Sequence, residues 1–234
     1  MTTDATSVRG EQIAVPDYLA DTYWWAYVHP HAVRVFERQW LVNLILWGNF
    51  ARLRDMALDA LGAQLDGRTL QVACVYGDLT RRLLGRLGPD AGLDVVDILP
   101  IQLRNLRSKL PADDRVKLIH GDSSRLAAPS GSYDRALLFF LLHEQPEDVR
   151  RATVSEALRV VRPGGSLVIV DYHRPRAINP LYLPMRAILG TLEPYALDLW
   201  RQPLEDWLPQ DVSLAKLEKR TMFSGLYQML EITV

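Results

Sequence analysis

Leu70-Gln71-Val72-Ala73-Cys74-Val75-Tyr76-Gly77-Asp78 and, further on, Gly92-Leu93-Asp94-Val95-Val96-Asp97-Ile98 decide how this chain is read. Each is a short apolar run closing on a glycine or an acid, the pattern of a strand buried on both faces. Residues 80–87 between them carry a helix pattern. The alternation continues with a helix over 100–110, a strand over 116–120 and a nearly continuous apolar run over 133–142. A long helix over 147–161 stops at Pro163-Gly164-Gly165, and a strand over 166–171 follows. Strands alternating with helices imply βαβ units and a parallel sheet. Residues 214–223 and 226–234 read as two further strands around Ser224-Gly225, joined by a tight turn and therefore antiparallel. The expectation is a doubly wound, Rossmann-like α/β fold with a mostly parallel seven-stranded sheet and a C-terminal antiparallel hairpin.

Residues 17–61, before the sheet, are rich in helix formers and aromatics: Tyr18, Tyr23, Trp24, Trp25, Tyr27, Phe36, Trp40, Trp47 and Phe50. Two or three helices forming an N-terminal cap are expected there. Proline-punctuated residues 174–209 read as a helical insertion or lid on the core, which spans 69–234. With 234 residues, 48% hydrophobic and 24% charged, the whole chain reads as one globular domain. A net charge of −1 with mixed signs gives no basic stripe for nucleic acid. The single cysteine, Cys74, excludes an internal disulfide and a multi-cysteine zinc site. The polar start lacks the pattern of a secretory signal, and the apolar stretch 40–50 is too short to span a bilayer.

Ligands of open parallel sheets bind beyond the carboxyl ends of the strands. Those ends carry Tyr76-Gly77-Asp78, Asp97-Ile98, Gly121-Asp122-Ser123, His143-Glu144 and Asp171-Tyr172-His173. An acid at position 97 suits the two hydroxyls of a ribose, and Ile98 offers an apolar face for an adenine ring. Asp122 and Ser123 suit the adenine amino edge. The plainer role for a lone acid after a strand is a helix N-cap.

Val96-Asp97-Ile98-Leu99-Pro100, His120-Gly121-Asp122 and Leu158-Arg159-Val160-Val161-Arg162-Pro163-Gly164-Gly165, taken in order, resemble the class I S-adenosylmethionine-dependent methyltransferases. The resemblance implies S-adenosylmethionine held by Ala73, Cys74, Val75, Gly77, Asp97, Ile98, Asp122, Ser123 and Phe139. The first loop departs from that pattern: where an acid and three alternate glycines are usual, this chain has Gln71, Ala73, Val75 and Gly77. Glycine lets a backbone approach a ligand closely, and valine does not.

Tyr23-Trp24-Trp25-Ala26-Tyr27-Val28-His29-Pro30, the stretch 36–49 and Ala73-Cys74-Val75-Tyr76-Gly77-Asp78-Leu79-Thr80 resemble the RquA family of rhodoquinone-biosynthesis proteins. That resemblance implies amino transfer to ubiquinone: a ring methoxy group is replaced by an amino group, with S-adenosylmethionine as amino donor and manganese (Mn2+) required. A neutral Gln71 then removes one charge that favours the ammonium form of the donor. Manganese takes oxygen and imidazole ligands. Candidates are His143 and Glu144 after the fourth strand and Asp171 and His173 after the fifth, with Asp78 as a further one. The metal would polarise the quinone ring. His143 or a carboxylate would take the amine proton, and Tyr76 would position the substrate; Tyr76, Asp78 and His143 are the catalytic candidates. Plainer roles are open to each, with Asp171 capping or pairing with Arg174 and Tyr76 simply packing.

The aromatic front suits a lipid quinone whose tail lies in a membrane, with Trp47 and Phe50 in the interface and residues 181–192 as the other pocket wall. It equally suits a plain helical cap. The expected location is cytoplasmic, peripherally on the inner membrane. Two other functions remain open: conventional methyl transfer to a quinone or phenol, and a non-catalytic cofactor-binding subunit of a quinone-synthesis complex.

Overall fold

The structure, a computed structural model, describes residues 14–23 and 30–234. Trp24, Trp25 and Tyr27 lie outside the described residues. Among the described residues the chain opens with four helices, α1 (Asp17–Thr22), α2 (Pro30–Phe36), α3 (Gln39–Ile45) and α4 (Phe50–Leu61), where the sequence suggested two or three. In α4, Phe50, Leu53, Ala57, Leu58 and Leu61 are buried at helical spacing, which seats one face of the helix on the sheet.

The sheet has seven strands in the order β3-β2-β1-β4-β5-β7-β6. They are β1 (Arg68–Val72), β2 (Gly92–Asp97), β3 (Val116–His120), β4 (Tyr133–Phe139), β5 (Val161–Tyr172), β6 (Lys216–Met222) and β7 (Tyr227–Thr233). The first five are parallel, and β7 runs antiparallel to both β5 and β6. The Rossmann-like sheet and its antiparallel hairpin are thus as expected. Helices α5 (Leu79–Leu84), α6 (Pro100–Lys109) and α7 (Glu147–Val160) make crossovers. Helices α8 (Tyr182–Leu192) and α9 (Asp198–Arg201) lie in the insertion. Strand order reverses between β1 and β4, the place where doubly wound sheets open a crevice.

Several boundaries differ from the sequence reading, each for a backbone reason. β1 stops at Val72 rather than Val75 because Ala73 turns into the left-handed region, at φ 70°. β4 stops at Phe139 because Phe140 does the same at φ 53°, and a 3-10 turn over Leu142–Glu144 follows. β5 begins earlier than expected. Val161 pairs with Tyr133, the register shifts, and pairing resumes between Ser166 and Arg135. Gly165 is needed in that bulge, since a Cβ there would sit 2.6 Å from the Asp134 carbonyl oxygen.

Candidate active site

A cavity of about 550 Å³ opens beyond the carboxyl ends of β1, β2 and β4. Its other wall comes from α3 and α8, through Leu44, Ile45, Met185, Ile188 and Leu192. The two walls touch where the Trp47 indole N–H donates to Met185 Sδ at 3.0 Å. Most of the lining is apolar, and polar groups gather at two places, the first loop and the end of β4.

The first loop is stitched from within. Ala73 N–H donates to the Val96 carbonyl at 2.8 Å. Gln71, fully buried, donates through Nε2 to the Ala73 carbonyl at 2.9 Å and accepts at Oε1 from the Thr80 hydroxyl at 2.9 Å. Asp97 accepts from Cys74 N–H at 2.7 Å and from Leu99 N–H at 2.8 Å. Burial pushes the Asp97 carboxyl up, and these two backbone N–H groups hold it down in part. Burial and the Asp97 carboxylate likewise raise the Cys74 thiol, which favours its neutral form. Tyr76 stacks on Phe36 and accepts at its hydroxyl from Gln102 Nε2 at 2.8 Å. The helical cap clasps the same loop: Glu37 Oε1 accepts from Gly77 N–H at 3.1 Å and from Lys109 Nζ at 2.7 Å, and Oε2 accepts from Asn105 at 2.7 Å.

The second polar group is built on Asp171, whose side chain has no exposed surface. Its Oδ2 accepts from Leu142 N–H at 2.9 Å and His143 N–H at 3.3 Å. Its Oδ1 accepts from Tyr172 N–H at 2.7 Å and lies 2.9 Å from His143 Nδ1. On the other side of the ring, His143 Nε2 is 3.7 Å from Glu144. Burial opposes a charged imidazole, yet Asp171, Glu144 and Glu193 outweigh it and push His143 up to about 9. Phe140 sets an edge against His143 at 5.9 Å and Tyr172 at 5.2 Å between ring centres. Glu193, just after α8, lines the cavity from the insertion side. Burial pushes its carboxyl up, against His143 and a hydrogen bond from Tyr23.

Arg150 of α7, fully buried, fixes these pieces to one another. It donates to the carbonyls of Leu142, Gln145 and Tyr195 at 2.8, 2.8 and 2.9 Å. Its guanidinium lies over the Trp207 ring, 4.3 Å from the centre.

A methyltransferase-domain family matches residues 69–165. The ubiquinone/menaquinone biosynthesis C-methyltransferase UbiE of Pseudomonas savastanoi pv. phaseolicola is 29% identical over 58% of this chain and 54% of its own length. The demethylmenaquinone methyltransferase of Staphylococcus aureus is 27% identical over 63% of this chain and 60% of its own. The chain thus spans little more than half the length of these relatives. Among solved structures, phosphoethanolamine N-methyltransferase 2 of Haemonchus contortus superposes with TM-score 0.64 at 11% identity, covering 94% of this chain and 60% of that one. A methyltransferase of Aquifex aeolicus gives 0.56 at 15%, covering 87% and 97%. Residues 69–165 thus resemble a methyltransferase domain, and the chain as a whole shares the fold of these solved methyltransferases.

Within this methyltransferase fold the cavity gathers some expected residues and not others. Ala73, Cys74, Val75, Tyr76, Asp97, Ile98, Ser123, Phe139, His143 and Glu144 line it. Gly77, Asp78, Asp122, Asp171 and His173 do not. Gly77 faces Phe50 and Glu37 instead. Asp78 is committed to Arg54 at 2.6 Å and Arg82 at 2.7 Å, and despite burial those arginines hold its carboxyl below the usual range. Asp122 closes its own turn by accepting from Ser124 N–H and Oγ. His173 is turned to the Gly225 carbonyl at 2.7 Å.

The manganese ligands expected from sequence do not converge. Asp171 spends both oxygens on backbone N–H groups and His143, and it does not pair with Arg174; His173 points elsewhere. Among the described residues no three His, Cys, Asp or Glu side chains are grouped to hold a metal ion. Gln71 needs a correction too, since it is locked inside the loop rather than facing the cavity. Phe50, expected at a membrane interface, is core. Sequence reading missed Glu37, Gln145, Arg150 and Glu193. No period or motif marks them, because each acts through contacts between distant segments.

Proposed function

We propose that this protein transfers the methyl group of S-adenosylmethionine to a ring of the ubiquinone or menaquinone class. The observation that carries the reading is the cavity itself. One end has the Cys74 loop, Asp97 and Ile98, which suit a nucleoside; the other runs apolar between α3 and α8, which suits a prenylated ring. The quinone-methylating relatives support the same substrate class.

When bound, S-adenosylmethionine supplies a methyl group activated by its sulfonium. Asp97, fixed by two backbone donors, keeps acceptor capacity on each oxygen for ribose hydroxyls. The apolar walls exclude water from the transfer. His143, held by Asp171 at Nδ1, lines the cavity and is the group to exchange a proton with a ring oxygen. No step is assigned to manganese, since the residues expected to hold it do not fit one ion.

Amino transfer to ubiquinone is the second reading, and the first loop favours it. Ala73 and Val75, which line the cavity, stand where the methyltransferase resemblance implies glycines. Attachment to a membrane surface belongs to both readings. Trp40, Leu44, Ile45 and Trp47 on one wall and Leu183, Ile188 and Leu192 on the other are exposed around the apolar end. No described helix is long and apolar enough to cross a membrane.

The test is incubation with short-tailed quinones, oxidised and reduced, and S-adenosylmethionine labelled in either its methyl carbon or its amino nitrogen, with and without manganese. Methyl label in the ring product supports the first reading. Nitrogen label replaces it with the second. Turnover with neither label leaves both without support, and binding without turnover points to a non-catalytic subunit.

A further inference from the structure

The first loop is held in two halves by different parts of the molecule. Its start belongs to the sheet: Ala73 N–H reaches the Val96 carbonyl, and Cys74 N–H reaches Asp97. Its end, residues 75–77, is gripped from outside the sheet. Glu37 Oε1 accepts from the Gly77 N–H at 3.1 Å. Lys109 Nζ, at the end of α6, donates to the Val75 and Gly77 carbonyls at 3.4 and 3.2 Å and to Glu37 Oε1 at 2.7 Å. Asn105 Nδ2, one turn earlier, donates to Glu37 Oε2 at 2.7 Å. One partly buried ion pair thus meets both the N–H and the carbonyl groups of this segment.

The segment is also pressed against its neighbours. Gly77 holds a left-handed φ of 82°, and a Cβ there would sit 2.9 Å from the Phe50 ring. Phe36, the residue before Glu37, stacks on Tyr76. Val75 and Tyr76 line the cavity, whereas Glu37 and Lys109 do not. An effect of the ion pair on a ligand therefore passes through the loop.

We propose that Glu37 is a positioning residue for the donor: with Lys109 it holds residues 75–77 in the shape that receives S-adenosylmethionine. This rests on the S-adenosylmethionine reading above and adds the residues that prepare its loop. A ligand that meets an ordered loop does not lose affinity to ordering it. Without Glu37, the Gly77 N–H loses its acceptor and Lys109 its counter-charge, so the receptive shape is populated less.

The experiment measures binding, not turnover. S-adenosylmethionine is titrated into the protein and followed by calorimetry, well below the melting temperature of each variant. Glu37→Met, of similar length without an acceptor oxygen, is expected to bind about tenfold more weakly, the size of one or two lost hydrogen bonds. Glu37→Gln keeps an acceptor for Gly77 and Lys109, and Asn105 can turn its amide to suit, so its affinity should stay within about threefold of wild type. Lys109→Met should weaken binding too. The double methionine variant should lose less than the two single losses combined, because both side chains hold one segment. A glutamate that only supports the fold would lower the melting temperature without this rescue and coupling in affinity. Wild-type affinity in Glu37→Met overturns the proposal, as do equal losses in Glu37→Gln and Glu37→Met or single losses that add in full. Should Glu37→Met fail to fold, unchanged affinity in Lys109→Met overturns it. Absence of binding by wild type overturns it together with the S-adenosylmethionine reading, whereas wild-type binding that neither methionine change weakens overturns the proposal alone.

Discussion

Asp171 Oδ1 sits 2.9 Å from His143 Nδ1, and the remaining acceptor capacity of that carboxylate is taken by three backbone N–H groups. The carboxylate is thus fixed by the chain and the imidazole is fixed by the carboxylate. Because folding raises the His143 pKa from 6.5 to about 9, the protonated ring favours the folded state. Its contribution is fully present below 6.5 and is lost as pH rises through about 9. Urea midpoints should fall across that interval in wild type. In Asp171→Asn the fall should be smaller, because the charge that raises the imidazole is gone. A midpoint that stays flat from pH 6 to 10 in wild type would contradict the pairing.

Ala73 holds a left-handed φ of 70°, a conformation that favours glycine. That conformation costs alanine about 1–2 kcal/mol, and glycine almost nothing. Glycine gives back about 0.4–1 kcal/mol through its freer unfolded chain. Ala73→Gly is therefore expected to stabilise the fold by up to about 1.5 kcal/mol. Equilibrium denaturation checks the sign; a clear loss of stability would mean that the Ala73 methyl group packs in a way that outweighs the strain.

Arg150→Met should be among the most damaging single changes. It removes donors from the carbonyls of Leu142, Gln145 and Tyr195 in a dry interior. A loss of about 3–5 kcal/mol is expected, the range for breaking a buried charged network. Thermal unfolding measures it, and limited proteolysis should find its first new cut in the insertion, residues 174–209. Unaltered proteolysis there would show that the guanidinium is not what holds the insertion.

The exposed apolar rim predicts attachment to lipid. Trp40→Ser and Leu183→Ser, one on each wall, remove the side chains that are 61% and 70% exposed. Each deletion should weaken vesicle binding by about tenfold, since burying a large apolar side chain contributes about 1.5–3 kcal/mol. Flotation with anionic vesicles reads this directly. Both variants should keep wild-type melting temperatures, because neither side chain is in the core.

The sheet was legible because its evidence is local. The runs at 70–75, 92–98 and 133–142 are apolar in the way doubly buried strands must be, and Pro163-Gly164-Gly165 punctuates the last crossover. Errors came where one backbone angle overrules side-chain pattern. Ala73 and Phe140 are ordinary strand residues by composition, and only their left-handed turns end β1 and β4. Acids at strand ends were visible too, but not their commitments. Asp78 faces Arg54, 24 positions away, and Asp171 faces a backbone turn 28 positions back, so neither partner shows in spacing. Glu193 was hidden for the same reason: its neighbours His143 and Tyr23 both lie far back along the chain.

Arg150 addresses main-chain oxygens on both sides of the joint it makes. Main-chain oxygens are the same whatever residues carry them. Apart from Trp207 and Asp198, whose side chains also meet the guanidinium, the insertion can therefore be rewritten without losing its purchase on the site. A graft that changes the exposed rim while leaving the Tyr195 carbonyl and Trp207 in place keeps that joint on an unchanged scaffold.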